Sequence, residues 1–348
     1  MENKKSMIWG ATGQDASYLA ELLLERGHEV YGVKRRASTN NTQNISHLLN
    51  SKHFHLMEGD ITDQGSVNHL VSLIKPDYLF NVAAMSHVFT SFEQPTYTFH
   101  ADALGQLYVL DAVRLYSPKT HIQFASTSEC FGSNYSTRPM WKSIMGENGQ
   151  SKMVPDGEEK YQDENTPFSP NSPYAVAKCA ATNLTKLYRT AYGLHASNCI
   201  THNHESPRRG ENFVTRKITL WIAKHFPLDK CTEKLKLGNI EAFRDWSYAK
   251  DCVEAFIKVV EADEPDDYTI GTGESHTVKE FLEEAFSLVN ANYKDYVEID
   301  SAFYRPCEVP YLRCDASKIK HKLGWEPTVK FKELVAMMVE HDLNGKKN

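Results

Sequence analysis

Ser6-Met7-Ile8-Trp9-Gly10-Ala11-Thr12-Gly13-Gln14-Asp15-Ala16 is the stretch on which the fold turns. Its apolar opening reads as a strand, Tyr18 to Arg26 follows with apolar residues at helical spacing, and Glu29 to Val33 is strand-like again. Strand, glycine-rich turn, helix and strand make one βαβ unit. In that setting the glycines allow a tight turn, let the backbone approach a pyrophosphate and aim amide N–H groups at its charge. A plain βα turn can use the same residues, so the flanking elements carry the reading. Ala16 stands at the third glycine position, where alanine is tolerated if the helix still packs closely on the sheet.

The alternation continues outward. Phe54 to Glu58, Tyr78 to Val82 and His121 to Ala125 read as strands, with helices at 64–74, 98–116 and 174–192 and a further strand at 196–201. This predicts an α/β fold, a Rossmann-like, mostly parallel sheet with helices on both faces. From about 203 the regular alternation stops. Helices are expected at 214–224, 249–262, 277–290 and 330–341, and strands at 235–237 and 268–271. The division is a dinucleotide-binding domain over 1–202 and a smaller C-terminal substrate-binding lobe over 203–348, some of whose segments return to the first domain. Residues 133–160 are turn-rich and too long for an ordinary connection. They read as a surface excursion, either a lid or interface arm or a loop without function.

Composition excludes several function classes. Hydrophobic residues make up 41%, charged residues 24% and the net charge is −6. A nucleic-acid partner requires a basic field that this balance lacks. Seven cysteines without close CxxC pairing point to reduced thiols, and no apolar run reaches the ~18 residues of a membrane span. With no secretory segment before the first strand, the expected location is cytoplasmic. His202-Asn203-His204 lacks a third neighbouring ligand, so no metal is assigned.

The chemistry-bearing residues fall at the carboxyl ends of the expected strands, where open α/β sheets bind ligands. Lys34-Arg35-Arg36 replaces the acidic residue that would hold a ribose hydroxyl. Two guanidiniums suit a 2′-phosphate and favour NADP, although a solvated basic turn has the same composition. Asp60-Ile61 follows the third strand and Ala83-Ala84 the fourth, both within reach of a cofactor there. Ser126-Thr127-Ser128-Glu129 follows the fifth. Tyr174 and Lys178 share one helix face at i,i+4 spacing. A phenol titrates near ~10, so a neighbouring ammonium and a cationic nicotinamide are what make it a usable base. Glu129 reads as a helix-start cap or ion-pair partner, or as the base that removes an acidic proton beside a new ketone. Arg208, Arg209, Arg216, Lys217 and Arg244 scatter cations through an otherwise acidic chain, a pattern suited to a diphosphate.

Asn203-His204-Glu205-Ser206-Pro207-Arg208-Arg209-Gly210-Glu211-Asn212-Phe213-Val214-Thr215-Arg216-Lys217-Ile218 resembles a signature of the GDP-mannose 4,6-dehydratases, within the extended short-chain dehydrogenases/reductases. Ser172-Pro173-Tyr174-Ala175-Val176-Ala177-Lys178 and Phe303-Tyr304-Arg305-Pro306-Cys307-Glu308 add to the likeness. The resemblance implies that Thr127, Glu129, Tyr174 and Lys178 are catalytic. It implies NADP held by Gly10, Thr12, Gly13, Gln14, Asp15, Arg35, Arg36, Asp60, Ile61, Ala83, Ala84, Ser86, Tyr174, Lys178, His204 and Arg209. It places the GDP-sugar against Ser86, Thr127, Ser128, Glu129, Tyr174, Asn203, Val214, Lys217, Leu237, Gly238, Arg244, Arg305 and Glu308. The implied activity converts GDP-D-mannose to GDP-4-keto-6-deoxy-D-mannose and water in a homodimer or homotetramer. The alternatives are a dehydratase, epimerase or reductase for another GDP-sugar, such as a GDP-heptose, or a non-catalytic nucleotide-binding protein. Three positions depart from the family pattern: Ala16 for glycine, Met85 for glutamine, and Asn44 for an arginine near a contact with a neighbouring subunit.

Overall fold

A computed structural model describes residues 3–145, 151–304 and 306–345. In the first half, the strands are β1 (Lys5–Trp9), β2 (Glu29–Lys34), β3 (Phe54–Glu58), β4 (Tyr78–Asn81) and β5 (His121–Thr127). The helices are α1 (Gln14–Glu25), α2 (Gln64–Ile74), α3 (Val88–Glu93), α4 (Pro95–Phe99) and α5 (Gly105–Tyr116). Next come β6 (Ser136–Met145), β7 (Ser151–Tyr161), α6 (Pro173–Tyr192), β8 (Ala196–Thr201) and β9 (Asn203–Glu205). The remainder includes α7 (Val214–His225), β10 (Leu235–Leu237), β11 (Phe243–Arg244), β12 (Trp246–Tyr248), α8 (Ala249–Glu261), β13 (Asp267–Ile270), β14 (His276–Thr277), α9 (Val278–Ser287), β15 (Val297–Ile299), α10 (Ser317–Leu323) and α11 (Phe331–Gly345).

Seven parallel strands form the central sheet in the order β13-β8-β5-β4-β1-β2-β3. β1 shows why it sits near the middle. Ile8 joins a core with Leu19, Leu23, Phe256 and Val260, whereas Met7 and Trp9 join one on the other face with Val67, Leu79 and Val109. A strand buried on both faces reads as a continuous apolar run. One face is covered by α1 and α8, the other by α2 and α5. Strand order reverses between β1 and β4, which opens a crevice at their carboxyl ends. A third core gathers Ile218, Trp221, Phe281, Phe286, Phe331 and Met338 from α7, α9 and α11.

Local signals fix the helices that matter. α1 starts at Gly13, which has no capping side chain, and Gly27 at φ 79° follows its end. α6 starts with Ser172 Oγ accepting the Ala175 N–H at 3.1 Å and Pro173 in its first turn; Gly193 ends it at φ 65°.

Two expectations change. The segment 133–160 is not merely turn-rich: β6 and β7 pair as an antiparallel hairpin, with residues 146–150 outside the described residues. Trp141, Met145 and Met153 on it are exposed, so it carries no inward apolar face to signal a strand. Arg138 ion-pairs with Glu159 across the strands and with Asp315 at its base, and Lys142 meets Asp156 at 2.7 Å. The helix expected over 98–116 begins instead as α4 and passes through a π-turn, His100–Leu104, before α5.

Candidate active site

The carboxyl ends of β1, β4, β5 and β8 open into one cavity of about 1120 Å³. This exceeds the ~300–1,000 Å³ of a single-ligand pocket and leaves room for a dinucleotide and a second nucleotide together. All candidate residues line it except Arg36, which lies with Arg35, Glu58 and Asp60 in an adjoining depression, Arg216, and Arg305, which lies outside the described residues.

At one end, Gly10 adopts φ 89°, and a Cβ there would stand 3.0 Å from the Ala83 backbone. Its N–H and that of Ala11 both donate to Val33 O, tying the turn to β2. The following first-turn amides of α1 have no acceptor within the helix and, with the helix dipole, form a site for an anion. This cradle fits the pyrophosphate of a nicotinamide dinucleotide. Arg35 donates to Tyr97 Oη at 2.9 Å, a contact that joins β2's end to α4 and that no local sequence pattern signals. Asn44 donates to Thr12 O at 3.1 Å, so its side chain supports the glycine-rich turn of its own chain.

The start of α1 is also clasped by residues 204–208. Asp15 and His204 Nε2 lie 2.9 Å apart, Ser206 Oγ donates to Gln14 Oε1 at 2.7 Å, and Arg208 donates to Glu21 at 2.6 Å and to Ser17 at 3.0 Å. Burial pushes the Asp15 carboxyl up, but attraction and hydrogen bonding from His204 outweigh it and leave it lowered. Burial pushes His204 down, and Asp15 more than reverses this, leaving it raised. Asp15 therefore contributes stability above 3.8 that is lost as pH falls through its lowered value. His204 contributes stability that is complete below 6.5 and lost as pH rises through its raised value. His204→Gln is expected to cost about 2 kcal/mol near pH ~6. Thermal melts across pH check this: the gap to wild type should narrow above neutrality, and a gap constant in pH would contradict the ionic reading.

These contacts correct one expectation. Arg208, stacked 4.0 Å over the Tyr18 ring, and Arg216, paired with Asp342, serve carboxylates of the chain itself, and Arg216 does not line the cavity. Arg244 donates to Glu308 at 2.7 Å and to the carbonyl of Val309 at 2.8 Å. Lys217 remains at the cavity wall, 4.0 Å over the Phe303 ring, with its ammonium on Lys236 O at 2.7 Å. Asn203 Oδ1 is buried with no hydrogen-bond partner among the described residues, an acceptor suited to a ligand donor.

In the middle, Thr127 and Tyr174 both line the cavity wall, and Thr127 Oγ1 accepts the Glu129 N–H at 3.3 Å. β5 ends at Thr127, and the 3₁₀ turn Ser128–Phe131 then carries Glu129, 8% exposed, into the wall. Lys178 Nζ donates to Ala125 O at 2.8 Å and lies 5.9 Å from the Tyr174 ring centre. Burial and then the Asp102 carboxylate push the Tyr174 phenol well above its ordinary range, with Thr127 opposing. Burial lowers Lys178, with Asp102 opposing. Asp102 is a residue sequence reasoning missed, since an acid in a helical run reads as a solvated face.

A hydroxyl, a phenol, an ammonium and a carboxylate thus meet beside an anion cradle, an arrangement suited to moving protons at adjacent carbons during oxidation of an alcohol. Comparison with known proteins agrees. The sequence profile described as GDP-mannose 4,6 dehydratase matches residues 7–140 and 153–338, leaving out the hairpin's outer part. GDP-mannose 4,6 dehydratase 1 of Arabidopsis thaliana is 47% identical over 350 residues, covering 98% of this chain and 90% of the relative. The Homo sapiens GDP-mannose 4,6 dehydratase is 41% identical, covering 97% and 91%. Among solved structures, a dTDP-glucose 4,6-dehydratase from Bacillus anthracis in complex with NAD shares the fold at TM-score 0.80 and 20% identity, covering 99% and 98%. A UDP-glucose 4-epimerase of Thermus thermophilus complexed with NAD does so at 0.77 and 26%, covering 97% and 98%. With near-full-length identity on this scale and the reacting groups assembled in one cavity, the chain belongs to the GDP-mannose 4,6-dehydratase family.

Proposed function

We infer that this chain is a nucleotide-sugar 4,6-dehydratase that converts GDP-D-mannose to GDP-4-keto-6-deoxy-D-mannose and water. The observation that carries this reading is the gathering of Thr127, Glu129, Tyr174 and Lys178 on the wall of one cavity of about 1120 Å³, with Glu129 tied to Thr127 through its N–H. A simple alcohol oxidation has no use for a second buried acid–base group at that wall, whereas loss of water from the neighbouring carbons does.

Tyr174 takes the sugar 4-OH proton while Thr127 donates to the developing 4-oxygen. Lys178 holds the ribose next to the reacting carbon. Glu129 removes the C5 proton, made acidic by the 4-ketone, and passes it to the departing C6 hydroxyl as water. A bound nicotinamide dinucleotide supplies hydride acceptance at C4 and hydride return at C6, so none is consumed. C5 then takes back a proton. Gly10, Thr12, Gly13, Gln14, Asp15, Asp60, Ile61, Ala83, Ala84, Ser86, His204 and Arg209 are assigned to the cofactor. Asn203, Val214, Lys217, Leu237, Gly238, Arg244 and Glu308 are assigned to the GDP-sugar, with Ser86 and Ser128 near its hexose. Residues 1–202, joined by α8 and β13, act as the cofactor body, and the rest of 203–348 as the sugar-nucleotide lobe. Self-association into a homodimer or homotetramer is supported by Leu115, Tyr116, Val176, Leu187 and Tyr192, exposed on α5 and α6. Among the described residues no helix is long and apolar enough to cross a membrane.

The reading is tested by proton NMR of the NADP-supplemented protein with GDP-mannose in D2O. A new C6 methyl with deuterium at C5 supports it; a folded, cofactor-loaded protein that leaves GDP-mannose untouched overturns it. In Glu129→Gln the expected outcome is a stall after the first oxidation, with reduced nicotinamide accumulating and product formation falling about 10²-fold or more. Arg35 and Arg36 at the end of β2 support NADP as the cofactor. Substituting both by alanine is expected to weaken NADP binding by about 10- to 100-fold and NAD binding little. Equal losses for the two cofactors would remove the 2′-phosphate assignment.

A further inference from the structure

Asp102 lies on the π-turn between α4 and α5 and is 1% exposed. Such turns insert one residue into a helical run, re-aim its side chains and occur frequently at functional sites. Asp102 Oδ1 accepts the Met85 N–H at 2.7 Å, in the loop whose Ala83, Ala84 and Ser86 line the cavity. Its Oδ2 is buried without a hydrogen-bond partner in the structure. The π-turn packs against α6, which carries Tyr174 and Lys178. Lys178 is itself 2% exposed, its ammonium seated on Ala125 O and 4.7 Å from the Phe124 ring centre. Two opposite charges are therefore withdrawn from water on adjoining elements, and an isolated buried charge is strongly disfavoured unless it is compensated.

We propose that Asp102 is a positioning residue for the dehydration: the fixed counter-charge that keeps Lys178 an ammonium beside Tyr174, while its other oxygen pins the Met85 loop along the cofactor cleft. The assignment rests on the role given above to Tyr174 and Lys178. Burial pushes the Asp102 carboxyl up to about 6, with Lys178 opposing, and burial pushes Lys178 down, with Asp102 opposing, so each acts on the other. Cys130 and Asp15 act on Lys178 in the same direction as Asp102 but more weakly. Glu129 and Cys130 sit on the 3₁₀ turn, and His87 on the Met85 loop bonds Thr90. Asp111 and Arg114 on α5 pair with each other, and Tyr97 and His100 on the same helical run are exposed.

The test is nitrogen-15 NMR of lysine-labelled protein, with the Lys178 ammonium assigned by its loss in Lys178→Arg. Asp102→Asn keeps an oxygen for the Met85 N–H but removes the charge, and it is expected to lower the Lys178 titration by about one pH unit or more. Asp102→Glu, which keeps the charge, should hold Lys178 closer to wild type; an equal fall in both variants, or none in Asp102→Asn, overturns the proposal. In turnover, Asp102→Asn should move the alkaline limb of kcat to lower pH with KM for GDP-mannose nearly unchanged. In a Lys178→Arg background that movement should vanish, because a guanidinium stays charged; its persistence would overturn the link to Lys178. Wild-type protein gives a reading that needs no folded Asp102 variant: acidification through about pH 6 should shift the Lys178 resonance in a step shared with Asp102, and a flat trace overturns the coupling. Failure of wild type to dehydrate GDP-mannose would defeat the functional reading alone, since the titration decides the counter-charge independently.

Discussion

Tyr174→Phe should lower kcat for GDP-mannose dehydration by about 10³-fold, within the ~10²–10⁴ range for loss of a positioned acid–base group, and leave KM little changed. The ring remains to fill its buried place, so only the hydroxyl is lost. The expected cost in stability is about 1 kcal/mol. Single-turnover rates with saturating NADP, set beside thermal melts, separate chemistry from folding. pH gives a second signature. Burial and Asp102 hold the phenol protonated well past neutrality, so the wild-type rate should climb with pH as the base form is populated, whereas the residual rate of Tyr174→Phe should lack that climb. A variant with near-normal kcat would move the base elsewhere.

Gly132→Ala should be the most damaging single methyl in the chain near the reacting groups. Gly132 closes the 3₁₀ turn that carries Glu129, with φ 57° and ψ −120°, and its N–H donates to Glu129 O at 3.2 Å. A Cβ there would stand 1.7 Å from the carbonyl oxygen of Ser169. That contact is with backbone, so it is relieved only by moving the 162–172 connection or the turn itself, which breaks the Ser169 N–H bond to Cys130 O at 2.9 Å. Backbone strain and overpacking together put the loss at about 4 kcal/mol. Urea unfolding measures it directly. Any folded fraction should also show kcat reduced more than tenfold, because Glu129 is displaced; unaltered stability and rate would show that the turn tolerates a side chain.

Much of the sheet was legible because its strands are buried on both faces. Tyr78-Leu79-Phe80 and Ile122 to Phe124 could not be solvent-facing in any arrangement. The hairpin β6–β7 was illegible for the opposite reason: it is held by cross-strand ion pairs, with exposed side chains along nearly its whole length and no buried face to give a period of two. α10, with only Ile319 buried, left no helical stripe to read. The reacting groups were legible because their spacing is local: Thr127 and Glu129 flank one residue, and Tyr174 and Lys178 are one helical turn apart. That the two groups meet depends on α6 packing beside β5, which no spacing states. Contacts made across the fold escaped in the same way: Arg35 on Tyr97, Asn44 on Thr12, Arg208 on Glu21 and Asp102 near Lys178.

The position of β13 at the end of the central sheet bears on how the chain is made. β13 pairs with β8, yet α7, four short strands and α8 separate the two in sequence, and α8 supplies Phe256 and Val260 to the core that also holds Leu19 and Leu23 of α1. During synthesis the first six strands of the central sheet therefore leave the ribosome with one sheet edge and the α8-covered part of one face still bare. At ~5–20 residues per second, several seconds pass before the covering segments follow. In that interval the nascent chain exposes apolar surface that the finished fold covers, so the length of the interval is set by translation between β8 and β13.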